Sequence, residues 1–138
     1  MKIIPNISNF KYKKTFLYLK HKKKIQNLKF GNFGLKVIKS FILKDIYLKL
    51  LIKYLTRKLK KLGKFFFRVF PNFTITKKSL GTRMGGGSGK INNWGVFLQE
   101  GKIFLEILSP NHKLIVKILN YCLKKLPNGL KIINNYFK

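Results

Sequence analysis

The chain has 138 residues, enough for one domain with a modest core and too few for two. Its 31 Lys and Arg stand against three acids, and a formal charge of +28 repels itself so strongly that the chain requires a polyanionic partner. With 46% hydrophobic and 14% aromatic residues it nevertheless carries the makings of a core, which excludes a disordered basic tail.

Other classes fall just as quickly. Cys122 is the only cysteine, so a disulfide framework and a cysteine-based zinc site within the chain are excluded; it sits beside Tyr121 and Leu123 and reads as core. Asp45, Glu100 and Glu106 are scattered and His21 is far from His112, so no acid/base pair or triad suggests itself, and neither an enzyme nor a cofactor is expected. Lys or Arg interrupts every apolar run, as Arg68 does between Phe65 and Phe70, and no stretch approaches the roughly 20 apolar residues of a membrane span. Met1 to Phe10 show neither an apolar signal core nor an Arg- and Ser-rich transit pattern, as expected of a protein made where it works.

Alanine is absent, Lys far outnumbers Arg, and Ile, Asn, Phe and Leu are abundant. A/T-rich codons specify these residues. The composition points to an organelle genome, a mitochondrial one first and a plastid-type organelle or an A/T-rich bacterium second.

In chain order, residues 1–28 read as a basic extension. Lys11, Lys13, Lys14, Lys20, Lys22, Lys23 and Lys24 are interleaved with Phe10, Tyr12, Phe16 and Tyr18. Such charge runs are commonly solvated arms, but interleaved rings that stack on bases favour an extension that orders on RNA. Residues 29–138 read as a single domain. Leu28 to Val37 alternate loosely between apolar and polar, with Gly31 and Gly34 as punctuation, and predict a short strand with a turn.

A helix is expected over Ile42 to Leu62, apolar at Leu43, Tyr47, Leu50, Tyr54, Leu55, Leu59 and Leu62, with Gly63 as its C-terminal cap. Lys49, Lys53, Arg57 and Lys60 fall on an opposite stripe. An ordinary solvated face mixes signs for i,i+4 pairing, yet only Asp45 is available here, so a phosphate-facing role is the better reading. Phe65 to Phe70 predict a largely buried strand stopped by Pro71. Trp94 to Gln99 and Lys102 to Leu108 predict a hairpin across Glu100 and Gly101, with Ile103, Leu105 and Ile107 alternating against Phe104 and Glu106. Pro110 and Asn111 start a second helix, His112 to Leu126, ended by Pro127, and Leu130 to Ile133 form a last strand. The class is α+β, two helices packed on a mixed or antiparallel sheet.

The segment Thr82-Arg83-Met84-Gly85-Gly86-Gly87-Ser88-Gly89-Lys90 superficially suggests a nucleotide-binding loop. Its spacing refuses that motif, because Met84 stands where the first glycine is needed and Ile91 follows Lys90. The bland reading is a flexible hairpin tip between Leu80 and Trp94. The functional one is a pliable basic finger, in which backbone without Cβ atoms approaches crowded phosphates while Lys77, Lys78, Arg83 and Lys90 neutralise them.

Taken together, Phe30-Gly31-Asn32-Phe33-Gly34-Leu35-Lys36, Arg68-Val69-Phe70-Pro71, Ile75-Thr76-Lys77-Lys78, Arg83-Met84-Gly85 and Lys125-Leu126-Pro127 resemble the universal large-subunit ribosomal protein L-sixteen family. The likeness runs from about Phe30 to Pro127 and takes in Thr56-Arg57, Trp94, Gly101-Lys102 and Glu106-Ile107. It implies an α+β protein seated in large-subunit ribosomal RNA near the central protuberance, with neighbouring ribosomal proteins around it. Its glycine-rich loop would be directed toward the tRNA path. The family loop typically reads Arg-Met-Gly-Lys-Gly-Lys-Gly, and here Gly86 and Ser88 replace both lysines. Two rival classes stand beside this one: a free RNA-binding assembly factor, and a peripheral protein on anionic membranes.

Overall fold

The computed structural model describes residues 26–127 and 129–135. Seven strands and two helices run in the order β1 (Phe33–Val37), β2 (Phe41–Lys44), α1 (Asp45–Leu59), β3 (Lys64–Phe67), β4 (Phe73–Lys77), β5 (Lys90–Leu98), β6 (Ile103–Leu108), α2 (His112–Lys125) and β7 (Leu130–Asn134) among these residues. They form an α+β fold in which every strand pairing is antiparallel. The strands divide into two sheets, ordered β3-β6-β1-β7 and β2-β5-β4. Helix α1 packs on β2 and β5 of the smaller sheet, α2 packs on β1 and β7 of the larger one, and the helices touch each other.

The expected hairpin between Trp94 and Leu108 does not form, because β5 and β6 belong to different sheets. The turn between them carries the chain from one sheet to the other. Gly101, at φ 85°, supplies the left-handed residue of that turn, and its N–H donates to Val37 O at 2.9 Å while Val37 N–H donates to Lys102 O at 2.9 Å. The β1–β2 connection crosses between the sheets alongside it, with Ile38 N–H donating to Gly129 O at 2.7 Å and Glu100 N–H to Ser40 Oγ at 3.0 Å.

Helix α1 is shorter than its periodicity suggested, because Phe41 to Lys44 pair with β5 before the helix begins. Its buried side is Leu48, Leu51, Leu55 and Leu59, not the stripe through Tyr47, Leu50 and Leu62, which are 36%, 58% and 54% exposed. Apolar residues occupy two adjacent stripes of this helix, and a 3.6-residue period does not choose between them; contact with the smaller sheet does. The helix ends at Lys60, which takes φ 42°, and not at Gly63. Gly63 is held against β6 instead, where a Cβ would lie 2.6 Å from Leu108 O.

Helix α2 starts where expected: Asn111 Oδ1 accepts from Leu114 N–H at 3.1 Å. The strand expected over Phe65 to Phe70 stops at Phe67, and it is half-buried because β3 lies at the edge of its sheet. Strand β6 sits inside that sheet, and Ile103 through Ile107 are all buried rather than alternating, since both its faces are covered. The core runs from Phe33, Leu35 and Val37 through Leu105 and Ile107 to Ile115, Leu119 and Cys122 on one side, and to Leu43, Leu55, Val96 and Leu98 on the other.

Candidate RNA-binding surface

The glycine-rich segment is the loop of the β4–β5 hairpin. Strand register places Lys77 opposite Lys90 at its base, a like-charge pair that is unfavourable unless an anion lies between. Lys78 Nζ donates to Gly85 O, and Ser79 Oγ is bonded to Thr82 Oγ1 at 2.6 Å, so the loop folds back on itself. The concavity it encloses has a volume of about 790 Å³ and is lined by Lys77, Lys78, Arg83, Lys90 and the glycines between them, with no acid.

Gly85, Gly86 and Gly87 take φ values of 100°, 63° and 82°, with nothing within 4 Å of where a Cβ would stand. They serve the backbone path, not packing. Gly89 differs, because a Cβ there would strike the backbone of Lys77 and Lys78. Met84 and Leu80 are fully exposed at the tip, with Ser88 and Arg83 exposed beside them.

On α1, Lys49, Lys53 and Arg57 are exposed at i, i+4 and i+8, and Lys60 is exposed at the helix end. They therefore share a face. Lys49 is the one already partnered, 3.0 Å from Asp45, a carboxylate buried at the first turn. Arg57 and Lys58 in the last turn favour the negative end of the helix dipole.

Beside that stripe a groove of about 610 Å³ opens between α1 and α2. Tyr47, Leu50 and Tyr54 of α1 and Tyr121 of α2 form its apolar wall, and Lys53, Arg57 and Lys125 line it as well. The Tyr54 and Tyr121 rings are stacked at 4.4 Å, and Lys125 Nζ stands 5.6 Å from the Tyr121 ring centre. Burial, with help from Cys122 and Tyr121, raises the Tyr54 hydroxyl above its ordinary pKa of 10.0 against the opposing pull of Arg57. Burial likewise pushes the Cys122 thiol up to about 12, so it is packing material and not a reactive group.

A second polar feature organises the start of the domain. Glu106 is completely buried, and its Oε2 accepts from the N–H groups of Lys29, Phe30 and Gly31 at 3.0, 2.6 and 3.0 Å. Its Oε1 accepts from Arg68 Nη1 at 2.5 Å, and the Arg68 guanidinium lies 5.6 Å from the exposed Phe30 ring. Close approach of this segment to β6 requires Gly31, where a Cβ would lie 2.7 Å from Ile107 O.

The structure thus gathers Lys77, Lys78, Arg83 and Lys90 around one loop and Lys49, Lys53, Arg57 and Lys60 along one helix. Lys11, Lys13, Lys14, Lys20, Lys22, Lys23 and Lys24 lie outside the described residues. Sequence reasoning missed the α1–α2 groove, because Tyr47 and Leu50 carry a core-like spacing, and it missed the Arg68–Glu106 pair, whose members are far apart in the chain. Among the described residues no three potential ligands cluster around a metal site, and no helix is long and apolar enough to cross a membrane.

Comparison with known proteins agrees with the resemblance read from the motifs. The chain is 36% identical over 107 residues to Large ribosomal subunit protein uL16 of Kosmotoga olearia, covering 78% of this chain and 76% of that one. It is 38% identical over 101 residues to the protein of the same name from Blochmanniella pennsylvanica, covering 73% and 75%. It is 36% identical over 133 residues to Large ribosomal subunit protein uL16c of Euglena longa, covering 89% and 96%. The family model described as Ribosomal protein L16p/L10e matches residues 7–133, nearly the whole length. On these matches the chain belongs to the L16p/L10e family, whose members are non-enzymatic structural proteins of the large ribosomal subunit.

Proposed function

We propose that this protein seats on large-subunit ribosomal RNA near the central protuberance, neutralising phosphates with its α1 stripe and its loop flanks, and points the glycine-rich loop toward the tRNA path. The observation that carries this is the base of the β4–β5 hairpin. Lys77 and Lys90 face each other across it, Lys78 and Arg83 line the same concavity, and no acid lines the loop. Polyanion binding relieves that repulsion, and glycines let RNA backbone come close.

Charge accounting supports the same reading. Of the three acids, Asp45 is committed to Lys49 and Glu106 to Arg68, which leaves most of the 31 cations to be neutralised from outside the chain. Residues 1–28 extend the basic surface as an arm that orders on RNA, and residues 29–138 are the domain it serves. Composition favours a mitochondrial ribosome over a plastid-type organelle or an A/T-rich bacterium.

Protein–RNA crosslink mapping in particles sedimented through high salt tests the placement. Adducts between large-subunit RNA and the α1 stripe or the loop are expected, with a tRNA adduct near Arg83 when tRNA is bound. Absence of the protein from salt-washed particles would overturn the structural role in favour of a free assembly factor. Recovery of the particles from isolated mitochondria tests the compartment.

A further inference from the structure

The α1–α2 groove is not explained by phosphate neutralisation. Leu50 is 58% exposed, and Tyr47 and Tyr121 are 36% and 43% exposed, on a helix pair whose other faces build the core. Phosphates gain nothing from an exposed leucine or from stacked tyrosines. A continuous RNA duplex offers only backbone and groove edges, whereas an unstacked base presents a flat apolar face of the kind that aromatic side chains receive.

We infer that the groove takes an unpaired nucleobase of large-subunit RNA, held against Tyr47, Leu50 and the stacked Tyr54–Tyr121 pair, with the phosphates on either side bound by Lys53, Arg57 and Lys125. This rests on the RNA-binding reading above and adds a mode of contact to it. Three cations and no acid line the groove, so its complement is anionic and flat. A second copy of this chain, at +28, is repelled from the site, and a protein partner would have to bring acidic residues as well as an apolar plug. The volume, about 610 Å³, lies within the range of roughly 300–1,000 Å³ typical of small-molecule clefts, so a base fits with room to spare. Lys53 and Arg57 belong both to the groove and to the basic stripe, so a strand whose phosphates follow α1 passes its bases across the opening.

The test uses the full-length chain bound to a large-subunit RNA transcript carrying 4-thiouridine, irradiated and mapped by mass spectrometry. Adducts at Tyr47, Tyr54 or Tyr121 on unpaired nucleotides are expected. Leu50→Gln, at an exposed position that leaves the fold intact, and the ring-removing pair Tyr54→Leu with Tyr121→Leu should each weaken binding on the order of tenfold with the salt dependence unchanged. Lys53→Gln should instead flatten the salt dependence. Adducts in the loop but none in the groove, or full affinity in Leu50→Gln, would overturn this inference and leave the RNA-binding reading standing. No adduct anywhere on the chain would overturn both. In whole particles, crosslinks from the groove to a neighbouring protein in place of RNA would also overturn it.

Discussion

Arg68 Nη1 meets Glu106 Oε1 at 2.5 Å, and the opposite oxygen of the same carboxylate is occupied by three consecutive backbone amides. One buried side chain of the inner strand β6 therefore ties the residue just after the edge strand β3 to the segment that leads into β1. Replacing Glu106 strands all four donors at once. We expect Glu106→Ala to lower the unfolding free energy by about 3 kcal/mol or more, read from urea denaturation. Glu106→Gln, which keeps two acceptor lone pairs and the side-chain volume, should lose less. Equal losses in the two variants would show that the ionised carboxylate, and not side-chain volume, holds the segment.

The same carboxylate sets an acid limit. Burial by itself would raise its pKa, but the bonds from Arg68 and from Phe30, Lys29 and Gly31 prevail and hold it below its ordinary 4.5. A carboxyl whose folded-state pKa is depressed stabilises the fold above the unfolded value and loses that contribution as pH falls through the folded one. Stability measured against pH should thus be level above about pH 5 and fall progressively below about 4.5. In Glu106→Gln that acid limb should be shallower; an unchanged limb would show that Glu106 does not set it.

Along α1 the four cations should not be equivalent. Lys53→Gln and Arg57→Gln are each expected to reduce the slope of log affinity against log salt by about 0.7 to 0.9, one phosphate apiece. Lys49→Gln should change the slope less, because Lys49 is already paired with Asp45 at 3.0 Å. It should also destabilise the fold by about 1 kcal/mol, since a mostly buried carboxylate loses its partner. Titrations of ribosomal RNA at several salt concentrations, with thermal melts of the free protein, separate the two effects.

The loop glycines divide by cause. Gly89→Ala drives a Cβ into the backbone of Lys77 and Lys78, so it should disturb the β4–β5 pairing and lower the melting temperature. Gly85, Gly86 and Gly87 have open space around them, and alanine there costs only the positive φ, on the order of 1 kcal/mol each. Substituting these three together should leave subunit assembly nearly normal and slow translation. Normal translation by such particles would remove the loop from the tRNA path.

What the sequence made legible followed from local chemistry. The Asn111 cap and Pro127 bound α2 almost to the residue, and Leu130 to Ile133 carry a strand signal where β7 lies. The α1 cations were legible because a stripe of one sign without counter-charges is visible in the spacing alone. Non-local choices were hidden. Which of two apolar stripes α1 buries depends on the smaller sheet, and that choice left Tyr47 and Leu50 on the surface. The turn at Gly101 looks the same whether it closes a hairpin or passes the chain between sheets, since the decision is made by Val37, far away in the chain. Glu106 read as one polar residue in an alternating strand, and only its pairing partners reveal why it is buried.

The position of β1 has a kinetic consequence. Leu35 lies in register with Leu105 on one side and Ile132 on the other, so β1 is sandwiched between strands that follow it in the chain by 70 and 97 residues. Loop closure over such separations is slow, while the β4–β5 hairpin needs only its own neighbours. During synthesis the hairpin, with its basic loop, can therefore pair before β7 arrives to close the larger sheet. A highly cationic nascent chain passes through a stage in which its RNA-seeking finger is formed and its main core is still open, so timely completion of β7 governs how long that exposed stage lasts.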